Sequence, residues 1–206
     1  VQTIANMLPD DYLKAYYGKW HLGNEVIRQR GFDEWVSIED QYRDYYDSPE
    51  HFDVLSDYHH FLIESGFEPD KESSGSMVFS REFAAALPEQ YTKATFMGNR
   101  AADFIRKNNG RPFALYVNIF EPHPPYDGPF NDMYDPDSIP VPPTFLKDPP
   151  ANAGLQHKIR AQESLLHGGF EPPPDGELTE KHWREVRARY WGMVTLVDKA
   201  VGNILQ

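Results

Sequence analysis

Cysteine is absent from the 206 residues of this sequence. Its absence excludes disulfides, thiolate metal sites and a cysteine nucleophile together. It leaves the redox compartment open, because a cysteine-free chain suits either environment. Long apolar runs are missing as well: no stretch approaches the ~20 residues that a membrane-spanning helix needs. No basic start followed by an apolar segment marks a secretory leader, although the chain opens on Val1 rather than a methionine. Positive charge is scarce, with 20 Lys and Arg against 32 Asp and Glu and a formal net charge of −12. Without a basic cluster, nucleic acid and anionic membrane surfaces are disfavoured as partners. In so acidic a chain, a cation aimed at an anion stands out. The expectation is a soluble protein, with cytoplasmic and periplasmic or secreted locations both open.

What is present is ordinary for a globular chain, at 40% hydrophobic and 25% charged residues. The length suffices for one medium domain, and 18 Pro and 14 Gly predict long irregular connections. Residues 3–8 have helical spacing, 12–17 read as a short aromatic-rich strand, and 31–35 as a second short strand. The acidic, tyrosine-rich segment 39–50 has no clean period and reads as a surface loop. Residues 52–65 read as a helix ended by Gly66, and 67–80 as polar turns. Thr92 is a predicted helix N-cap, with Phe96, Met97, Ala101, Phe104 and Ile105 on one face behind it. The run FALYVNIF at 113–120 reads as a strand buried on both faces inside a parallel sheet. Pro-rich segments follow at 122–150 and 170–176. Thr179 then caps a long helix with a core-facing stripe of Trp183, Val186, Tyr190, Met193, Val197, Val201 and Ile204. The alternation predicts an α/β fold, a mostly parallel sheet flanked by helices with long irregular loops. Two strands are few for an independent α/β domain, which suggests a piece of something longer.

In an open α/β sheet, ligands bind beyond the carboxyl ends of the strands. Two strand exits carry ionisable groups: Gly18-Lys19-Trp20-His21-Leu22-Gly23 and Glu121-Pro122-His123-Pro124-Pro125-Tyr126. If the strands are parallel neighbours, Lys19, His21 and His123 converge. A lysine ammonium suits a tetrahedral oxyanion, and an imidazole donates a hydrogen bond to it or a proton to a leaving group. Taken singly, a lysine after a strand is more often a solvated charge, and a histidine beside proline more often a turn residue. The residues alone leave both readings open. His51, His157, His167 and His182 have no ligand spacing to a carboxylate, and His59-His60 occupy adjacent helix faces, so none is assigned to a metal.

Four motifs, in one order, resemble the sulfatase family of the alkaline-phosphatase-like superfamily. They are GKWHLG at 18–23, Gly31-Phe32-Asp33, FALYVNIFEPHPPY at 113–126, and YWGMVTLVDKAVGNIL at 190–205. The resemblance spans essentially the whole chain. It implies that Lys19 contacts the sulfate oxygens and the nucleophile, that His21 hydrogen-bonds to the nucleophile, and that His123 assists departure of the alcohol. Trp20 and Tyr126 would be walls. The departures matter equally. The family's formylglycine arises in a C/S-x-P-x-R motif that is missing here, and its calcium-binding aspartate pair and later Asp-His/Asn-Gly segment are missing too; Asp10-Asp11 is not that pair.

The resemblance therefore implies a partial sulfatase fold, residues 1–206 being the central segment of a catalytic domain. Calcium and formylglycine would be supplied from outside this chain, which by itself would be inactive. The substrate would be a small-molecule or carbohydrate sulfate ester. A phosphonate monoester or phosphodiester hydrolase of the same superfamily, or a non-catalytic binding domain, are the alternatives. Exposed sheet edges would permit a homo-oligomer.

Overall fold

Alternation in residues 12–17 produces the central strand of the molecule. The computed structural model describes residues 2–167 and 178–206; the hinge expected at 170–176 and the side chain of His167 lie outside the described residues. In chain order the elements are α1 (Ile4–Met7), β1 (Leu13–Gly18), β2 (Glu34–Val36), α2 (Asp57–Glu64), β3 (Lys71–Ser73), β4 (Ser76–Val78), α3 (Arg81–Ala85), α4 (Lys93–Asn108), β5 (Phe113–Asn118), α5 (Leu155–His167) and α6 (Glu180–Ile204). Strand β1 sends Leu13, Ala15 and Tyr17 into one core cluster with α2 and α4. Tyr16 goes to the opposite face, packing with Ala5, Trp20 and Phe32. That is the two-residue period of a strand covered on both sides.

Both neighbours of β1 run parallel to it, in the order β2-β1-β5. The fold class is thus α/β with a parallel sheet flanked by helices, as the alternation of elements predicts. Strand β5, however, is an edge strand in the described residues, and Phe113 through Val117 are only half-buried. The expected burial on both faces belongs instead to β1. The 67–80 segment is more than turns: β3 and β4 pair as a small antiparallel hairpin. Ser56, Ser80, Thr92 and Thr179 cap their helices by accepting backbone N–H groups of His59, Phe83, Thr95 and His182. Two of these caps, Thr92 and Thr179, were legible in advance. Among the described residues no helix is long and apolar enough to cross a membrane.

Three further expectations need correction. The stripe on α6 is only partly the buried face: its Met193 is buried, but Tyr190 and Val201 are exposed, and the other buried residues are Ala188, Gly192, Leu196 and Ala200. Small residues win there because α6 approaches α4 closely, with Ala200 O only 3.1 Å from where a Cβ on Gly98 would stand. Helix α5 has no counterpart in the predicted elements, and its Leu155 and Ile159 are exposed. Segment 39–50 is not a solvated loop. Arg43 is fully buried, with Nη1 donating to Ser76 Oγ and Nε to the Asp40 carbonyl. Asp40 is buried too, accepting from Ser56 N at 2.9 Å and lying 3.2 Å from His59. The buried carboxylates of this segment find their partners elsewhere in the chain, Glu39 with Lys19, Arg81 and Lys93 and Asp40 with His59, which composition alone does not reveal.

Gly18 closes β1 at φ +112, and a Cβ there would stand 2.0 Å from the Asn118 carbonyl oxygen. A side chain meets both a backbone collision and an unfavourable left-handed conformation. Gly18→Ala is expected to destabilise the fold by roughly 3 kcal/mol or more, read as a fall in the urea midpoint. A midpoint equal to that of the unmodified protein would contradict the packing described.

Candidate anion site

The parallel pairing of β1 with β5 aligns Gly18 with Asn118, so the two loops leave the same end of adjacent strands. Lys19 N donates to Asn118 O at 2.9 Å. Tyr16 Oη donates to the Lys19 carbonyl at 2.6 Å. The Tyr16 ring stacks on Trp35 at 4.7 Å and meets Trp20 edge-on at 4.9 Å. These contacts hold the Lys19 backbone and turn its side chain inward. Its ammonium donates to Glu39 Oε2 at 2.6 Å and to Glu25 Oε2 at 2.9 Å.

Glu39 is the centre of the site. Its side chain has no solvent exposure, and three cations share its two oxygens. Arg81 makes a two-pronged contact, Nε to Oε1 and Nη2 to Oε2, both at 2.8 Å. Lys93 Nζ donates to Oε1 at 3.0 Å. Burial would push the Glu39 carboxyl up, but Lys93, Arg81 and Lys19 overcome it and hold the group well below the usual carboxylate range. Burial likewise opposes the Lys19 charge, and Glu39 and Glu25 outweigh it, raising its pKa above the ordinary lysine value. Three cations face Glu39 and Glu25, and burial pushes the nearby Glu121 carboxyl up, toward its uncharged form, which leaves the cluster net positive. Lys19 and Arg81 keep 15% and 17% side-chain exposure and are the more accessible cations of the cluster.

Glu25 behaves differently. Burial raises its carboxyl to about 7, and its one cation, Lys19, is shared with Glu39. Its Oε1 is buried without a partner among the described residues. It therefore titrates near neutrality at the edge of the cluster.

Lys19 and His21 line one open cleft of ≈ 440 Å³, with Trp20, Glu25, Tyr42 and Tyr45. His21 is exposed there. His123 lies elsewhere, beside a void of ≈ 20 Å³ that Arg81, Lys93, Phe120 and Glu121 also line. The link between the two is Arg81 and Lys93, which lie 4.7 and 4.5 Å from the Phe120 ring centroid, and Phe120 packs on the His123 ring at 4.5 Å. The His123 Nδ1 lies 2.7 Å from the Pro124 carbonyl. A carbonyl only accepts, so Nδ1 carries the proton and Nε2 is left for another partner. The two loops thus share one end of the sheet, but Lys19 and His123 line separate cavities joined through Glu39, Arg81 and Phe120.

Sequence reading did not single out Glu39, Arg81, Lys93 or Glu25. A signal existed at Lys93: a lysine directly behind the N-cap Thr92 sits at the end of α4 where the helix dipole disfavours a cation, which calls for a buried carboxylate nearby. The calcium that the family resemblance implies does not fit these residues. Both oxygens of Glu39 are occupied by cations, and no group of three or more His, Asp or Glu able to hold a metal ion occurs among the described residues.

Two outcomes follow from this geometry. Glu39→Gln removes the one charge that three buried cations share, and is expected to cost on the order of 3–5 kcal/mol in equilibrium unfolding. Glu25 has a folded-state value of about 7 against an ordinary 4.5. Its contribution is therefore fully present below pH 4.5 and lost as pH rises through about 7. Glu25→Gln should flatten the decline in stability across that window, read by urea midpoints at stepped pH; an unaltered slope would contradict the assigned titration.

Comparison with known proteins agrees with the fold. The chain is 26% identical over 165 residues to the multifunctional alkaline phosphatase superfamily protein PehA of Trinickia caryophylli, a match covering 73% of this chain and 32% of that protein. The chain thus spans about a third of the length of that curated relative. Phosphonate monoester hydrolase SpPMH from Silicibacter pomeroyi superposes with a TM-score of 0.59 at 19% identity, over 98% of this chain and 42% of that one. The phosphonate monoester hydrolase of Agrobacterium radiobacter aligns with a TM-score of 0.49 at 21% identity, over 95% of this chain and 41% of that one. The fold is alkaline-phosphatase-like. The Sulfatase family model matches residues 1–206, and the chain belongs to the Sulfatase family.

Proposed function

We propose that this chain forms the anion-receiving wall of a hydrolase that cleaves sulfuric esters. The observation that carries the reading is the net-positive cluster of Lys19, Arg81 and Lys93 around Glu39, at the carboxyl ends of parallel strands where such folds bind ligands. Lys19 and Arg81, the more exposed members, would hold the sulfate oxygens. Preorganised cations of this kind stabilise charge that develops on those oxygens as the sulfur–oxygen bond to the alcohol breaks. His21, at the mouth of the Lys19 cleft, would hydrogen-bond to the attacking hydroxyl. His123, with Nδ1 engaged by Pro124, would offer Nε2–H in its protonated form to the departing alkoxide. Formylglycine, when present, would supply the nucleophilic hydroxyl; these 206 residues contain no cysteine and no serine in its motif, so the chain alone should turn over nothing.

A second reading keeps the site and changes the ester. A phosphonate monoester is also a tetrahedral anion, and a lysine point charge discriminates poorly between the two. Silicibacter SpPMH, which shares the fold, is a phosphonate monoester hydrolase.

Steady-state assays of the whole protein on 4-nitrophenyl sulfate and 4-nitrophenyl phenylphosphonate would rank the two readings by kcat/KM. In either case Lys19→Ala should lower kcat/KM by roughly 10²–10³-fold and weaken inhibition by inorganic sulfate or phosphate. His123→Ala should harm esters of poor leaving groups more than 4-nitrophenyl esters. Lys19→Ala with an undiminished kcat/KM would sink the proposal.

A further inference from the structure

We propose that Tyr42 and Tyr45 form the subsite for the organic group of the ester, and that the group is a ring with an apolar face. This rests on the anion-site reading above and extends it to the other end of the substrate. Both tyrosines line the same ≈ 440 Å³ cleft as Lys19 and His21. The Tyr42 ring centroid lies 5.0 Å from Lys19 Nζ and 5.1 Å from Arg81 Cζ. An ester whose anion engages those two cations therefore has its organic group delivered against the tyrosines.

The exposure of these rings is not the looseness of a solvated segment. Tyr45 is 70% and Tyr42 40% exposed, while their neighbours Arg43 and Tyr46 are at 0% and 7%. Buried Asp40 anchors the backbone just before them through Ser56, and buried Arg43 anchors it between them through Ser76 and a 3₁₀ turn at Arg43–Tyr45. The two rings stand 6.1 Å apart and tilted by 53°, forming a corner rather than a stacked pair. A tyrosine face held rigidly in water is suited to an aryl group or to the C–H face of a pyranose, since either buries apolar area without ordering flexible side chains. A short alkyl chain covers less of such a corner.

The test uses competitive inhibition of the whole protein by inorganic sulfate, ethanesulfonate, benzenesulfonate and methyl glucoside 6-sulfate. Tyr45 is largely exposed, so its truncation does not disturb the core. Tyr45→Ala should weaken one of the two ring-bearing inhibitors by roughly five- to ten-fold, without a comparable change for ethanesulfonate, and Tyr45→Phe should retain most of the affinity. Loss confined to benzenesulfonate identifies an aryl subsite, and loss confined to the glucoside sulfate a sugar subsite. Sulfate that competes while Tyr45→Ala leaves both ring compounds unaffected, or weakens all the organic anions equally, overturns the subsite alone. Failure of sulfate to compete in the unmodified protein removes the anion site itself.

Discussion

The site depends on one buried carboxylate. Glu39 has no exposure, and three cations from three separate parts of the chain converge on it: Lys19 after β1, Arg81 at the start of α3, and Lys93 at the start of α4. Burying one charge costs several kcal/mol even after relaxation. Here the Coulombic gain is multiplied by three partners, and the rings of Tyr42 and Phe120 add cation–π contacts to them. The arrangement fixes the relative positions of a strand exit and two helix starts that no backbone ladder connects. It also leaves surplus positive charge at the surface of the cluster, which is the property an oxyanion requires. In the proposed reading, the structural ion-pair network and the anion receptor are the same object.

Strand pairing supplies the second constraint. Because β1 and β5 are parallel and in register up to Gly18 and Asn118, residues about a hundred positions apart emerge side by side. The aromatic cluster of Tyr16, Trp20, Phe32 and Trp35 then clamps the outgoing loop. Trp20 is accordingly a packing residue as well as a wall of the cleft, at 7% exposure. On the other side, Phe120 carries His123 on one contact and the two cations of α3 and α4 on others. Phe120 thus joins the His123 loop by packing to the charges that face the Lys19 loop.

Local signals were legible wherever the cause was local. The caps at Thr92 and Thr179, the strand at 12–17, the parallel character of 113–120 and the adjacent helix faces of His59 and His60 all follow from neighbours in sequence. His59 is indeed buried against Asp40, and His60 is exposed. Segment 39–50 reads as solvated from its charge density, but the side-chain partners of Glu39 and Asp40 lie 16 to 54 positions away, out of range of any periodicity. The α6 stripe misled for a related reason. Spacing identifies an apolar face, but which face meets α4 is decided by how closely the two backbones approach, and that selects Gly98 and Ala200, while the Phe130 backbone leaves no room for a side chain at Gly192.

By itself, the sequence determined the α/β class, the family through its ordered motifs, and the two loops that carry Lys19, His21 and His123. Each of these is written in contiguous residues or in their order. Only the tertiary structure decided that a single carboxylate gathers three cations, that Lys19 and His123 line separate cavities, and that β5 rather than β1 lies at the sheet edge. Those facts depend on distances between residues far apart in the chain, and electrostatic pairing inside a protein leaves no local pattern along it.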